Sequence, residues 1–104
     1  MKISGVFFLS VLVIGFTFSP AFSAGDVAKG KALFNDTQLG NNTSGKSCNS
    51  CHPDGKGLEK AGERKDLAQF ANACIENALK GKAINPKSQE MKNLVTYIKS
   101  LKGK

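Results

Sequence analysis

Two cysteines and a histidine, Cys48, Cys51 and His52, form a Cys-x-x-Cys-His sequence, which is the attachment signature of a c-type haem. Two thiols one short turn apart can add to the two vinyl groups of a haem as thioethers. A histidine directly after the second thiol then falls beneath the iron. The spacing therefore predicts one covalently bound haem c, attached through Cys48 and Cys51, with His52 as the proximal iron ligand.

Two other kinds of site remain open for the same residues. Cys48, Cys51, His52 and the third cysteine, Cys74, are a legitimate tetrahedral donor set for zinc. However, adjacent Cys51 and His52 are awkward as simultaneous zinc ligands, and the paired Cys-x-x-Cys knuckles of common zinc folds are absent from the sequence. A disulfide or thioredoxin-like redox pair would need the motif between a strand and a helix, whereas a loop rich in Gly, Asn and Ser precedes it.

The second axial ligand of the iron has two candidates. His52 is the only histidine, so ligation by two histidines of one chain is excluded. Met91 is the only methionine after the first 23 residues, but it also begins an apolar helical stripe and could be a core residue. Cys74 is a spare thiol, or else a small buried apolar residue. An axial Met raises the reduction potential, whereas an anionic thiolate lowers it by favouring ferric iron.

Residues 1–23 have the pattern of a secretory signal peptide. Lys2 gives a positive start, and the apolar run from Val6 to Phe18 is too short to span a bilayer. Small residues precede the expected cleavage site after Ser23. We therefore expect residues 24–104 to form a periplasmic, or otherwise exported, domain that does not insert into the membrane.

The expected domain is basic and poor in large apolar residues. It holds all but one of the chain's 15 Lys and Arg, against 8 Asp and Glu. Sixteen large apolar side chains make a marginal core for a domain of this size, unless a cofactor, disulfides or a partner complete it. A multidomain enzyme is excluded by length, and nucleic acid is a poor partner because the domain is expected to be exported and contains only three aromatic residues.

Apolar spacing and N-cap signals predict three main helices, over residues 26–35, over residues 66–81 and from Ser88 to the C-terminus. Residues 36–47 and 53–62 are rich in Gly and polar residues and are predicted loops. No segment has a convincing strand pattern, so the predicted fold class is all-α. The apolar face of the first helix is narrow and consists of Val27, Gly30, Leu33 and Phe34.

The chain resembles the class I cytochromes c over essentially all of residues 24–104. The resemblance rests on the Cys-x-x-Cys-His motif, on Gly30 and Phe34 in the first helix, and on Leu94-Val95-Thr96-Tyr97-Ile98-Lys99-Ser100-Leu101 in the last. It implies a small cytochrome c fold, with three main helices around a covalently bound haem. It also implies that the first and last helices cross, with Gly30 permitting their close approach.

The region around Cys74 is similar to small His/Cys-ligated cytochromes and to haem domains of thiosulfate dehydrogenase and sulfur-oxidation cytochromes. The similarity lies in residues 74–82 and in Ser88-Gln89-Glu90-Met91 before the last helix. A cysteine thiolate binds the iron in those domains. This resemblance implies Cys74 as the favoured distal ligand and Met91 as the alternative.

These features together predict an electron carrier and not an enzyme. Its expected partner is a redox protein with an acidic surface, and a second cytochrome c subunit is compatible with the sparse core. An alternative is haem-based binding or sensing of NO or CO through a displaceable Cys74 ligand. Catalysis as one subunit of a two-haem enzyme is the weakest alternative, because the chain has one attachment motif and no second histidine for acid-base chemistry.

Overall fold

A computed structural model describes residues 24–104, so the predicted signal peptide lies outside the described residues. The helices are α1 Val27–Phe34, α2 Cys48–Cys51, α3 Leu67–Asn77 and α4 Gln89–Lys99, with 3-10 turns at Leu39–Asn41, Pro53–Gly55 and Ala61–Glu63. No strand forms in this part of the chain, which confirms the predicted all-α class. Among these residues, no helix has the length and apolar character that crossing a bilayer requires.

Helix α1 begins and ends close to the predicted residues. Its N-cap is Asp26, whose side chain accepts a hydrogen bond from the Lys29 N–H at 2.9 Å. The Asp26 N–H donates in turn to Oδ1 of Asn93 on α4, also at 2.9 Å. The start of α1 is therefore tied to α4 by a bond that no local sequence pattern specifies.

Helices α1 and α4 cross in close contact at Gly30. A Cβ on Gly30 would overlap the carbonyl oxygen of Asn93 and lie 2.7 Å from Cβ of Tyr97. One turn further on, the rings of Phe34 and Tyr97 pack with centroids 5.1 Å apart and planes inclined by 57°. The predicted crossing of the first and last helices is confirmed, with Gly30 at the contact.

Val27 differs from its predicted position on the buried face of α1. Its exposed fraction is 46%, whereas Gly30 and Phe34 are buried. The residue that packs against α4 at this end is Gly25, just before the helix, where an added Cβ would overlap the Thr96 side chain. The buried face of α1 therefore begins one turn later than its apolar pattern suggests.

Helix α3 ends four residues before the predicted stop at Gly81. The Ala78 and Leu79 N–H groups both donate to the carbonyl of Cys74, and the Gly81 N–H donates to the carbonyl of Ile75 at 2.8 Å. Lys80 has a left-handed backbone with φ of 61°. These bonds form a turn that ends the helix. Residues 78–79 therefore belong to this turn, although their apolar side chains continue the helical spacing.

Helix α4 follows its predicted stripe but ends at Lys99. Ser88 is the predicted N-cap, and its hydroxyl accepts from the Met91 N–H at 3.1 Å. Four members of the predicted stripe, Met91, Leu94, Ile98 and Leu101, are buried, whereas its fifth member, Val95, is only partly buried. Tyr97, which was not part of the predicted stripe, is buried with them. Met91 is among the most deeply buried side chains of the described residues, with 1% exposed.

Candidate functional site

The Cys-x-x-Cys-His motif lies on one helical turn. Helix α2 spans Cys48 to Cys51, and the His52 N–H donates to the carbonyl of Cys48 at 2.9 Å. Ser47 precedes the turn, and its N–H donates to the hydroxyl of Ser50 at 2.9 Å. These bonds hold both thiols and the imidazole on a single compact turn, as the attachment signature requires.

The loop before this turn is organised around the buried side chain of Asn42. Its Nδ2 donates to the carbonyls of Leu39 and Lys46, at 2.8 and 3.3 Å. Its Oδ1 accepts from the N–H groups of Ser44 and Gly45, at 3.0 and 3.2 Å, and from the Ser44 hydroxyl. One amide therefore shapes the loop that delivers the chain to Ser47 and α2, although the sequence gives no sign of this role among several neighbouring Asn and Ser residues.

We expect Asn42→Ala to lower the free energy of unfolding by about 2 kcal/mol, because it leaves loop N–H and carbonyl groups without their partners. The measurement is urea unfolding of the processed protein. Thr43→Ala is the matched control, because the neighbouring side chain is exposed. Equal stability losses in the two variants would show that Asn42 does not organise the loop.

His52 is oriented by a backbone acceptor. Its Nδ1 lies 2.9 Å from the carbonyl oxygen of Lys56. Since a carbonyl oxygen can only accept, Nδ1 carries a proton and donates it, and in the neutral tautomer with this proton Nε2 has a free electron pair. Gly57 packs beside the ring with φ of +93°, where a Cβ would lie 3.3 Å from Nδ1. A neutral imidazole fixed in this way is prepared to bind a metal through Nε2.

Cys48, Cys51, His52 and Cys74 line one cleft. The first two lie on α2, His52 is the C-cap residue that follows it, and Cys74 lies on α3. The remainder of the lining is apolar apart from Ser47: Phe34, Leu58, Phe70, Ala71, Ala78 and Leu79. The enclosed volume is about 70 Å³ and the cleft is partly open to solvent. Three predicted haem-binding residues and the favoured distal ligand are thus brought together.

Met91 does not line this cleft. It is a buried member of the apolar stripe of α4, and the groove that it lines is a different one, shared with Leu67 and Val95. The two sulfur candidates are therefore separated: Cys74 faces the motif, and Met91 is a core residue.

Burial favours the protonated form of two thiols of the cleft, Cys48 and Cys74. It raises the pKa of Cys48 to about 11, and the charge of Cys74 adds to this effect. Burial also raises the pKa of Cys74, partly opposed by the positive charge of Arg64. Cys48 is therefore a protonated thiol at neutral pH in the polypeptide alone.

Arg64 lies at the edge of the cleft in a fixed position. Its guanidinium carbon is 4.3 Å from the ring centroid of Phe70, one of the cleft residues. It also donates to both carboxylate oxygens of Asp66, at 2.9 and 3.1 Å. Sequence reasoning missed Arg64, because the approach of a loop cation to an α3 aromatic residue leaves no periodic signal.

The spacing of the donor side chains bears on the zinc cluster and on the disulfide. Within residues 24–104, no three His, Cys, Asp or Glu residues group closely enough to hold a metal ion between them. Cys48, Cys51 and Cys74 are all free thiols. Neither the tetrahedral zinc cluster nor a disulfide is therefore part of this arrangement.

Comparison with known proteins assigns the chain to no group. No protein-family model, no curated protein and no solved structure matches it. The function must therefore be inferred from the chemistry of the cleft and of the surface around it.

Proposed function

We propose that the chain is an exported cytochrome c that carries one haem and transfers electrons between partner proteins. The observation that carries the proposal is the shared cleft. Two thiols and an oriented imidazole reach it from the α2 turn, and a third thiol reaches it from α3. The other lining residues are almost all apolar, which suits the faces of a porphyrin.

The donor set matches the needs of a covalently attached haem. Cys48 and Cys51 would each add an S–H bond across one vinyl group: the sulfur bonds to one carbon, the hydrogen to the other, and no atom is lost. This addition requires reduced thiols, and all three cysteines are free. His52 would bind the iron through Nε2, because Nδ1 donates a hydrogen bond to the Lys56 carbonyl.

Cys74 is the distal ligand that the cleft favours. It is the only sulfur outside the attachment motif among the cleft residues within the described part of the chain, whereas Met91 is packed in the core. The haem supplies an iron that alternates between ferric and ferrous states, and an anionic sulfur ligand lowers its potential. The protein would therefore be a low-potential carrier.

Attachment must also separate the walls of the cleft. The enclosed volume of about 70 Å³ is small beside the roughly 300–1,000 Å³ of ordinary cofactor pockets. Phe34, Phe70 and Leu79, which line the cleft, would then offer apolar surface to the porphyrin. The haem would then complete a core in which large apolar residues are few.

Binding of NO or CO is a second candidate function. The side of the cleft near Cys74 is formed by uncharged, mostly apolar residues, including Phe70, Ala71 and Ala78. Such surroundings accept a neutral diatomic molecule without leaving a polar group unpaired. Displacement of the Cys74 sulfur would supply the open iron position that this function needs.

The test of the proposed function is expression in a bacterium whose periplasm attaches haem to c-type cytochromes. The processed protein should have the mass of the polypeptide plus one intact haem, and the haem should resist extraction with acidic acetone. Cys48→Ala/Cys51→Ala should lose the covalent haem. Cys74→Ala, the matched control, removes a thiol from the same cleft and should keep it. Bound zinc, or a mass lowered by the two hydrogens of a disulfide, would overturn the proposal.

A further inference from the structure

A groove between the start of α3 and α4 combines an apolar floor with a basic rim. Its volume is about 240 Å³. Ala68, Pro86 and Val95 provide apolar surface that is at least partly exposed. The cationic residues that line it are Arg64, Lys65, Lys92 and Lys99. No carboxylate lines this α3–α4 groove among residues 24–104.

Two other grooves of the described residues carry mixed charge. One groove, which shares Lys99 with the α3–α4 groove, is lined by Glu59 and Glu63 as well as by Lys99 and Lys102. The polar groove beside the loop after α1 contains Asp36 and Glu90 together with Lys82. The haem cleft itself has no lysine, arginine or carboxylate in its lining. Of these four cavities, the α3–α4 groove is the one whose charged lining residues all have the same sign.

The positive charge of the groove comes chiefly from its lysines. Asp66 neutralises Arg64 through a bidentate ion pair. Lys65 and Lys99 are exposed and form no ion pair with another described residue. Their ammonium groups are free to meet carboxylates of another molecule, with the floor between them available to an apolar side chain.

The groove is also adjacent to the haem cleft. Arg64 lines the groove, while its guanidinium stacks on Phe70, which lines the cleft. A molecule seated in the groove would therefore lie next to the cleft without covering the α2 turn. This position suits a partner that exchanges electrons with a group in the cleft.

We infer that the α3–α4 groove docks an acidic segment of a redox partner protein, whose carboxylates meet Lys65 and Lys99 and whose apolar side chains rest on Ala68 and Val95. The inference rests on the proposed electron-carrier function and adds the surface through which the partner is recognised. Apolar contact supplies affinity, and the lysines supply orientation and a faster encounter.

The test uses the processed haem protein and a synthetic helix-forming peptide of Glu, Leu and Ala, with the Lys-for-Glu peptide as its counterpart. The acidic peptide should shift backbone amide signals of residues 64–69 and 91–99 in NMR spectra, and its binding should weaken as salt rises. Lys65→Glu/Lys99→Glu should raise its Kd about tenfold or more, equivalent to about 1.4 kcal/mol. Lys29→Glu/Lys31→Glu makes the same charge change on exposed positions of α1 and should change Kd less than about twofold.

Two results would overturn the inference. The first is a set of shifted amides outside residues 64–69 and 91–99, and the second is equal weakening by the two double variants. The same samples are checked for the haem spectrum and for reversible reduction at an electrode. A protein that holds haem and reduces reversibly but binds the peptide elsewhere disproves only the docking surface, whereas a protein without haem disproves the proposed function.

Discussion

Replacing Cys74 with Ala should abolish the low-spin ferric spectrum of the haem protein and raise its reduction potential by on the order of 100 mV. The reason is that an anionic sulfur stabilises ferric iron more than ferrous iron, so its removal favours the reduced state. Cys74 faces the cleft that contains Cys48, Cys51 and His52. The measurements are the optical spectrum of the oxidised protein and a potentiometric titration.

Met91→Leu is the matched control for the Cys74 variant. Leu is close to Met in volume, so a core position should tolerate the change at a cost below about 1.5 kcal/mol, whereas Met91→Ala would leave a cavity and confuse the comparison. We expect Met91→Leu to keep both the low-spin spectrum and the potential. If the Met91 variant loses the low-spin spectrum while the Cys74 variant retains it, the assignment of the distal ligand is wrong.

The same samples separate the two candidate functions. A carrier with a firmly bound Cys74 sulfur should give no spectral response to CO after reduction, whereas Cys74→Ala should bind CO at the position it opens. A wild-type protein that responds to CO as readily as the Cys74 variant does would favour gas binding over electron transfer. Both outcomes are read from the spectrum, so a stability difference between the proteins does not obscure them.

The elements of the fold follow from the sequence where side chains repeat with helical spacing. Gly30 and Phe34 on α1, and Leu94 and Tyr97 on α4, lie at spacings that predict the two helices, whereas their close crossing was implied by the resemblance to class I cytochromes c. The end of α3 was predicted too late. Apolar spacing continues through Leu79, but the helix ends at Asn77 because the hydrogen bonds of its C-terminal turn replace the regular helical bonds there.

Some segments have no helical repeat of apolar side chains, and their contacts with the rest of the chain could not be predicted in the same way. Asn72 holds the segment after α3 through two bonds of 2.8 Å, from its Nδ2 to the Ile84 carbonyl and from the Ile84 N–H to its Oδ1. Asn42 shapes the loop before α2 in a comparable manner. A buried Asn that pairs with distant backbone has the same local sequence appearance as an exposed loop Asn.

In the candidate site, too, local spacing was predictable from the sequence and the contacts between separate segments were not. The spacing of Cys48, Cys51 and His52 was enough to predict their placement on one turn. The position of Cys74 on α3, four residues after Phe70, placed both on one helix face, and both line the cleft. Which face of α3 turns toward the motif depends on packing between helices. For that reason, the sequence left Cys74 and Met91 as competing ligands, while the structure separates them.

Gly30→Ala should lower the free energy of unfolding by about 3 kcal/mol and the melting temperature by more than roughly 10 °C. In an exposed helix the same change would stabilise by about 1 kcal/mol, because Ala is the better helix former. At this position the new Cβ would overlap the carbonyl oxygen of Asn93 and crowd Tyr97, so α1 and α4 must move apart. The sign of the effect therefore reports on the helix crossing itself.

Thermal unfolding of the processed protein, followed by helical circular dichroism, measures this effect, with Lys31→Ala on the exposed side of α1 as the control. The control should stay within about 0.5 kcal/mol of the wild type. Adding Asn93→Ala to Gly30→Ala should not restore stability, because the overlapping oxygen belongs to the backbone and remains after the side chain is removed. A Gly30→Ala protein as stable as the wild type, or more stable, would contradict this prediction. The gain from the higher helix propensity of Ala would then exceed any cost of overlap, and the two helices would not meet at Gly30.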